Sequence, residues 1–127
     1  MDYVVCGFKI IKQNKKYVLE VIKRWLRSNE EFVVRGALVI LLTYYIEKDN
    51  LKMIFLLSES IKHKGYYVYM ANSWLISVCM AKYPTQTIEF FKSNSLDKIT
   101  HNSAIQKSLD SLRVSQEYKI VLKNLKR

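Results

Sequence analysis

Apolar residues recur along this chain at helical rather than strand spacing. Between Phe32 and Ile46 they form an almost unbroken run that includes Val33, Val34, Ala37, Leu38, Leu41 and Leu42, interrupted by a single charge, Arg35. A second run, from Gly65 to Ala81, carries no charge at all. Both runs are too long for strands, and a helix that is apolar on nearly every side belongs inside an assembly of helices. The segments between them mix apolar positions with lysines, as on a helix with one wet face. The pattern predicts helices over Lys15–Arg27, Phe32–Ile46, Asn50–Lys62, Tyr66–Lys82, Thr85–Lys92 and Ile99–Leu112, with a terminal helix that Ser115 opens and Lys126 ends.

The pattern also repeats. Val18, Met53 and Ile88 are 35 residues apart (53−18 and 88−53), and Val21, Leu56 and Phe91 share that spacing. So do Asn14, Asp49 and Pro84, which suit helix starts: two caps and one proline fit for a first turn. Ser28 and Glu31 read as a capping box before the first apolar run, and Ser95 or Asp97 as the cap of the Ile99 helix. Two helices per 35-residue unit predict an all-α fold, an α-solenoid forming a single domain over 1–127. The start, Met1 to Cys6, reads as part of an inner helix, so N-terminal repeats are expected to be missing, or supplied by a partner or by self-association at that open end.

Composition agrees and adds a partner class. Three glycines and one proline in 127 residues leave little turn chemistry for a β fold. The 21 basic and 11 acidic residues give a net charge of +10. A domain this basic is expected to meet a polyanion, most often nucleic acid. Cys6 and Cys79 have no C-x-x-C spacing, and Cys79 is expected to be a buried free thiol in a reducing, cytoplasmic setting. No stretch reaches the roughly 20 apolar residues of a membrane helix, so no membrane partner is expected.

Enzyme motifs are sparse. There is no H-E-x-x-H, no glycine-rich phosphate loop and no G-x-S-x-G, and no metal or cofactor is implied. Ser95-Leu96-Asp97-Lys98 matches S-x-x-K, but Ser95 is explained as a helix cap. His63 and His101 read as solvent-facing loop histidines.

Arg35 and Trp74 stand out instead. A guanidinium keeps its proton in a protein, so Arg35 must be paired or wet: it either joins a buried ion pair, for example with Glu31 one turn before it, or faces a groove that receives an anion. Trp74 lies in a stripe with Tyr67, Met70, Ala71 and Val78 whose plain reading is core. The period alters that balance. Trp74 is 39 residues beyond Arg35, one period plus one helical turn (35+4), so both fall on equivalent faces of neighbouring inner helices. An arginine for phosphate and an indole face in one groove suit a nucleotide.

The segments Glu31–Leu42 and Tyr67–Cys79, with the tail Asn102–Lys107 and Arg113–Ser115, resemble the HEAT-like-repeat DNA alkylation repair glycosylases (AlkD-like), from about Lys12 to the end. The resemblance implies a HEAT-like solenoid that cradles duplex DNA in a concave basic groove and excises cationic N3- or N7-alkylated purines without a cofactor. In that family two tryptophans, an aspartate and an arginine do the work. Arg35 would match the DNA-binding arginine and Trp74 the second catalytic tryptophan. The first tryptophan has no counterpart, its place falling before Met1, and Asp2 is the candidate for the catalytic aspartate. The same groove holding DNA or a protein without bond cleavage is the alternative the residues leave open.

Overall fold

The structure, a computed structural model, describes residues 13–127. Among them every regular element is a helix: α1 (Lys15–Trp25), α2 (Glu31–Tyr44), a short 3-10 turn (Lys48–Asn50), α3 (Leu51–Glu59), α4 (Tyr66–Lys82), α5 (Pro84–Ser93), α6 (Lys98–Asp110) and α7 (Gln116–Lys123). No strand occurs among the described residues, as the scarcity of glycine and proline requires. None of the helices is long and apolar enough to cross a membrane. The proposed inner helix over Met1 to Cys6, with Asp2 and Cys6, lies outside the described residues.

α4 is the centre of the packing. It lies between α2 and α6 and makes its broadest contacts with those two, while α1 packs on α2, α5 on α4 and α7 on α6. Its sequence explains the position. Val68, Ala71, Leu75 and Cys79, at helical spacing, join a core with Ile22, Val34, Leu38 and Leu41. Ile76 and Met80 point elsewhere and join a second core with Phe91, Ala104, Ile105 and Leu122. A helix buried on two faces needs apolar residues on both, which is why Gly65–Ala81 carries no charge. Phe55 packs against both cores, and its ring stacks on Phe90 with centroids 4.3 Å apart. Truncating a side chain such as Leu75, which is fully buried, costs about 2–5 kcal/mol. Cys79 is a buried free thiol. Burial pushes its pKa up to about 12, which removes it from thiolate chemistry.

The helix ends depart in places from the sequence reading. Ser28 and Glu31 do not form a capping box: Ser28 Oγ accepts from the Glu30 amide at 3.0 Å, and no side chain caps α2. Glu31 instead reaches across to α4, where its Oε2 accepts from the Tyr67 amide at 3.1 Å. The carboxylate thereby satisfies a donor in the first turn of a neighbouring helix. Gly65 makes room for it, because a Cβ there would collide with the Glu31 carboxylate. The next turn uses the same device: Glu59 Oε2 accepts from Ser95 N at 2.8 Å and from Ser95 Oγ at 2.7 Å. Ser95 is thus not the cap of α6; Asp97 is, accepting from the Thr100 amide. Neither Asn14 nor Asn50, at the starts of α1 and α3, caps with its side chain, and Asp49 falls in the 3-10 turn. Pro84 does occupy a first helical turn, and Ser115 does cap the last helix.

His101 is a clear correction. It is not a loop residue facing solvent but a fully buried member of α6. Its Nε2 lies 2.8 Å from the Leu125 carbonyl and its Nδ1 lies 2.9 Å from Asn94 Nδ2. The Asn94 amide is oriented by the backbone: its Oδ1 accepts from the Leu96 amide, and its Nδ2 donates to the Phe90 and Phe91 carbonyls. The imidazole must therefore carry its proton on Nε2 and accept at Nδ1, which is the neutral form. Burial, with Arg127 nearby, lowers its pKa below the ordinary value of 6.5, against the pull of the Leu125 carbonyl. His63 is in a loop, but a working one. It accepts from the Gly65 amide at Nδ1, 3.0 Å away, so Nε2 is the donor to the Asn29 carbonyl at 3.1 Å.

Candidate functional site

Arg35 is exposed, because α2 is buried along one stripe and not on every side. Val34, Ala37, Leu38 and Leu41 make its buried stripe, and Phe32, Arg35 and Thr43 fall on the opposite side. Among the described residues no carboxylate lies within ion-pair distance of Arg35, and Glu31 is bonded to the Tyr67 amide instead. The buried-pair alternative is therefore not what these residues form.

Trp74 is 46 % exposed, so the stripe on α4 is not plain core. Ala71 is buried, Met70 and Val78 are partly covered, and Tyr67 is open. Arg35 and Trp74 line one depression of about 240 Å³, with Tyr66, Tyr67, Met70 and Lys107. A larger depression of about 600 Å³ adjoins it, lined by Trp74, Val78, Lys107, Asp110 and Arg113 among others. Trp74 and Lys107 belong to both, which makes the two depressions one continuous track over α2, α4 and the end of α6. Along it stand three cations, Arg35, Lys107 and Arg113, and one carboxylate, Asp110. Asp110 accepts from Gln106 Nε2 at 3.0 Å.

Lys107 and Arg113 entered the sequence reading only as part of the resembling tail, not as site residues, and Asp110 did not enter it. Lys107 lies 72 residues after Arg35, twice the 36-residue spacing of the Glu31–Tyr67 and Glu59–Ser95 bonds; the 35-residue period misses it by two positions, which on a helix is the opposite face. Asp110 and Arg113 fall at and beyond the end of α6, where the next helix start resets the register. Asp2, the carboxylate expected from the resemblance, lies outside the described residues. No group of histidine, cysteine and carboxylate side chains that could hold a metal occurs among the described residues.

The track offers positive charge beside an exposed indole face, in an open surface rather than an enclosed chamber. Such a surface binds a polymer better than it binds a small metabolite. No family model, no curated protein and no solved structure matches the chain.

Proposed function

We propose that this chain is a DNA-binding α-solenoid of HEAT-like helix pairs that acts in DNA alkylation repair, in the manner of the alkylpurine glycosylases it resembles. The succession of α2, α4 and α6, each with a second helix packed on it, supports the solenoid. The observation that carries the function is the shared track: Arg35 and Trp74 with Lys107 and Arg113 on one open surface of a chain with net charge +10. Arg35 and the other two cations hold backbone phosphates, which gives affinity without reading sequence.

Excision of a cationic purine asks little of such a site. The C1′–N9 bond breaks and its electron pair returns to the base, which leaves neutral. Water adds to the sugar cation and loses a proton to a carboxylate or to solvent. Trp74 offers a π-face to the developing positive charge. The carboxylate that stabilises it electrostatically is Asp2 or Asp110.

A second reading, binding without bond cleavage, has its own support. Asp110 is the one carboxylate on the described track, and Lys107 and Arg113 line the same depression, where they oppose its charge. The deciding measurement is release of 7-methylguanine from methylated duplex DNA, beside binding of the same duplex. Release that falls on Trp74→Ala supports the glycosylase. Binding with no release supports the binding module. Release that survives Trp74→Ala, Asp2→Asn and Asp110→Asn overturns the assignment of roles, and no duplex binding at low salt overturns the groove itself.

A further inference from the structure

The track is flanked by aromatic rings that phosphate contacts alone do not require. Phe32 is 68 % exposed, Tyr66 56 % and Tyr67 48 %. The rings of Phe32 and Tyr67 meet across α2 and α4 with centroids 5.5 Å apart and planes 32° apart. Tyr66 stands edge-on to Tyr67 at 5.3 Å. Large apolar faces held together yet left in water are unfavourable for a lone domain, and such patches mark binding surfaces. This row runs directly into the smaller depression, since Tyr66 and Tyr67 line it together with Arg35, Trp74 and Lys107.

The charge of the patch selects its occupant. No carboxylate lines the smaller depression, while two cations do. A cationic peptide or a positively charged metabolite is repelled there. A small-molecule site encloses most of its ligand, whereas this hollow lies open on the surface. Phosphate charge and flat apolar faces together describe nucleic acid. In an intact duplex, however, the base faces are covered by their neighbours, and rings on the protein find nothing to stack on. Only unpaired bases present both features at once.

We propose that this surface takes DNA at unpaired nucleotides, with the exposed bases stacking on Phe32, Tyr66 and Tyr67 while Arg35 and Lys107 hold the flanking phosphates. The proposal rests on the reading of the track as a DNA interface and narrows it. It also suits damaged DNA, because unstacking is cheapest at a mismatched or damaged base.

The test compares three fluorescent probes of one sequence at a single low salt: a single strand, its duplex, and the duplex with one bulged base. The single strand and the bulged duplex are expected to bind more tightly than the intact duplex. Phe32→Ala and Tyr67→Ala are each expected to weaken single-strand binding by about 5- to 100-fold. The effect of Phe32→Ala on the intact duplex should be under about twofold, Tyr67→Ala should weaken the single strand more than the duplex, and Arg35→Ala should weaken all three probes. Circular dichroism melts of the variants check that the fold is kept. If the intact duplex binds best and Tyr67→Ala changes no probe, the stacking proposal is wrong while the DNA groove stands. If no probe binds, both are wrong.

Discussion

Two arginines far apart along the described chain, Arg35 and Arg127, show how this molecule divides its polar groups. Arg127 is spent on structure. Its Nη2 donates to the Asn94 carbonyl at 3.0 Å and its Nη1 to the Leu96 carbonyl at 3.3 Å, while its own backbone N–H and C=O are bonded to Asn102. It closes a cluster with Asn94 and His101 in which each ring nitrogen and amide atom has a partner. Arg35 donates to no carboxylate among the described residues and faces solvent. A satisfied cluster holds a fold and offers nothing to a ligand. A cation beside open aromatic rings adds little to folding and keeps its charge for something else. The two regions should therefore respond to substitution in opposite ways.

The largest effect is expected in this clasp of Asn94, His101 and Arg127. His101→Ala leaves the Leu125 carbonyl and one Asn94 donor without this partner and opens a cavity beside Phe91, whose ring meets the imidazole edge-on at 5.7 Å. A loss of about 3 kcal/mol in denaturant titration is expected, with DNA affinity unchanged wherever the variant is still folded. The comparison breaks if His101→Ala is as stable as the parent.

Arg35→Ala should do the reverse. Duplex affinity should fall by roughly 1.5–3 kcal/mol, the value of a charge-assisted contact, while stability stays within about 0.5 kcal/mol of the parent. An Arg35→Ala chain that binds normally but melts early would reassign Arg35 to structure.

The clasp also predicts a pH dependence. The folded His101 has a pKa below 6.5, so an unfolded chain takes up the proton first as pH falls. His101 gives its full contribution above about pH 6.5. That contribution declines as pH drops through this value and stops declining once the lowered folded pKa is reached. Melting curves between neutral and mildly acid pH should show this decline in the parent, and a shallower one in His101→Gln, which has no proton to gain there. Equal slopes would mean that His101 is not held neutral.

The smallest effect belongs to Asp110. Removing the one carboxylate on the described track by Asp110→Asn should tighten binding to undamaged duplex by roughly twofold, the scale of an exposed charge interaction. Weaker binding would show that Asp110 orients a neighbouring cation instead of merely opposing phosphate.

The sequence disclosed some of these features and hid others, for identifiable reasons. The bounds of α4 match Tyr66–Lys82 because Gly65 and Pro84 bracket a run with no other break. The neighbourhood of Arg35 and Trp74 was legible because one period plus one turn places them on adjacent faces, and the structure has them line one depression. The chemical role of the pair is a separate question, answered only by the assays above. The clasp was not legible. The partners of His101 are a backbone carbonyl 24 residues away and an amide in the loop before α6, and neither has a periodic signature. Glu31 was misread for a related reason. A glutamate three residues after a serine fits a local box, and nothing in the spacing reveals that a helix start 36 residues on competes for it.

That competition gives the fold a direction. Glu31 belongs to an earlier helix and completes the start of α4; Glu59 belongs to an earlier helix and meets Ser95 just before α6. In both cases the acceptor precedes the donor by 36 residues along the chain. A polypeptide emerging from the ribosome thus carries each carboxylate before the amide that needs it. Each of these two helix starts finds its anchoring point already made, and Arg127, later still along the chain, turns back onto the carbonyls of Asn94 and Leu96.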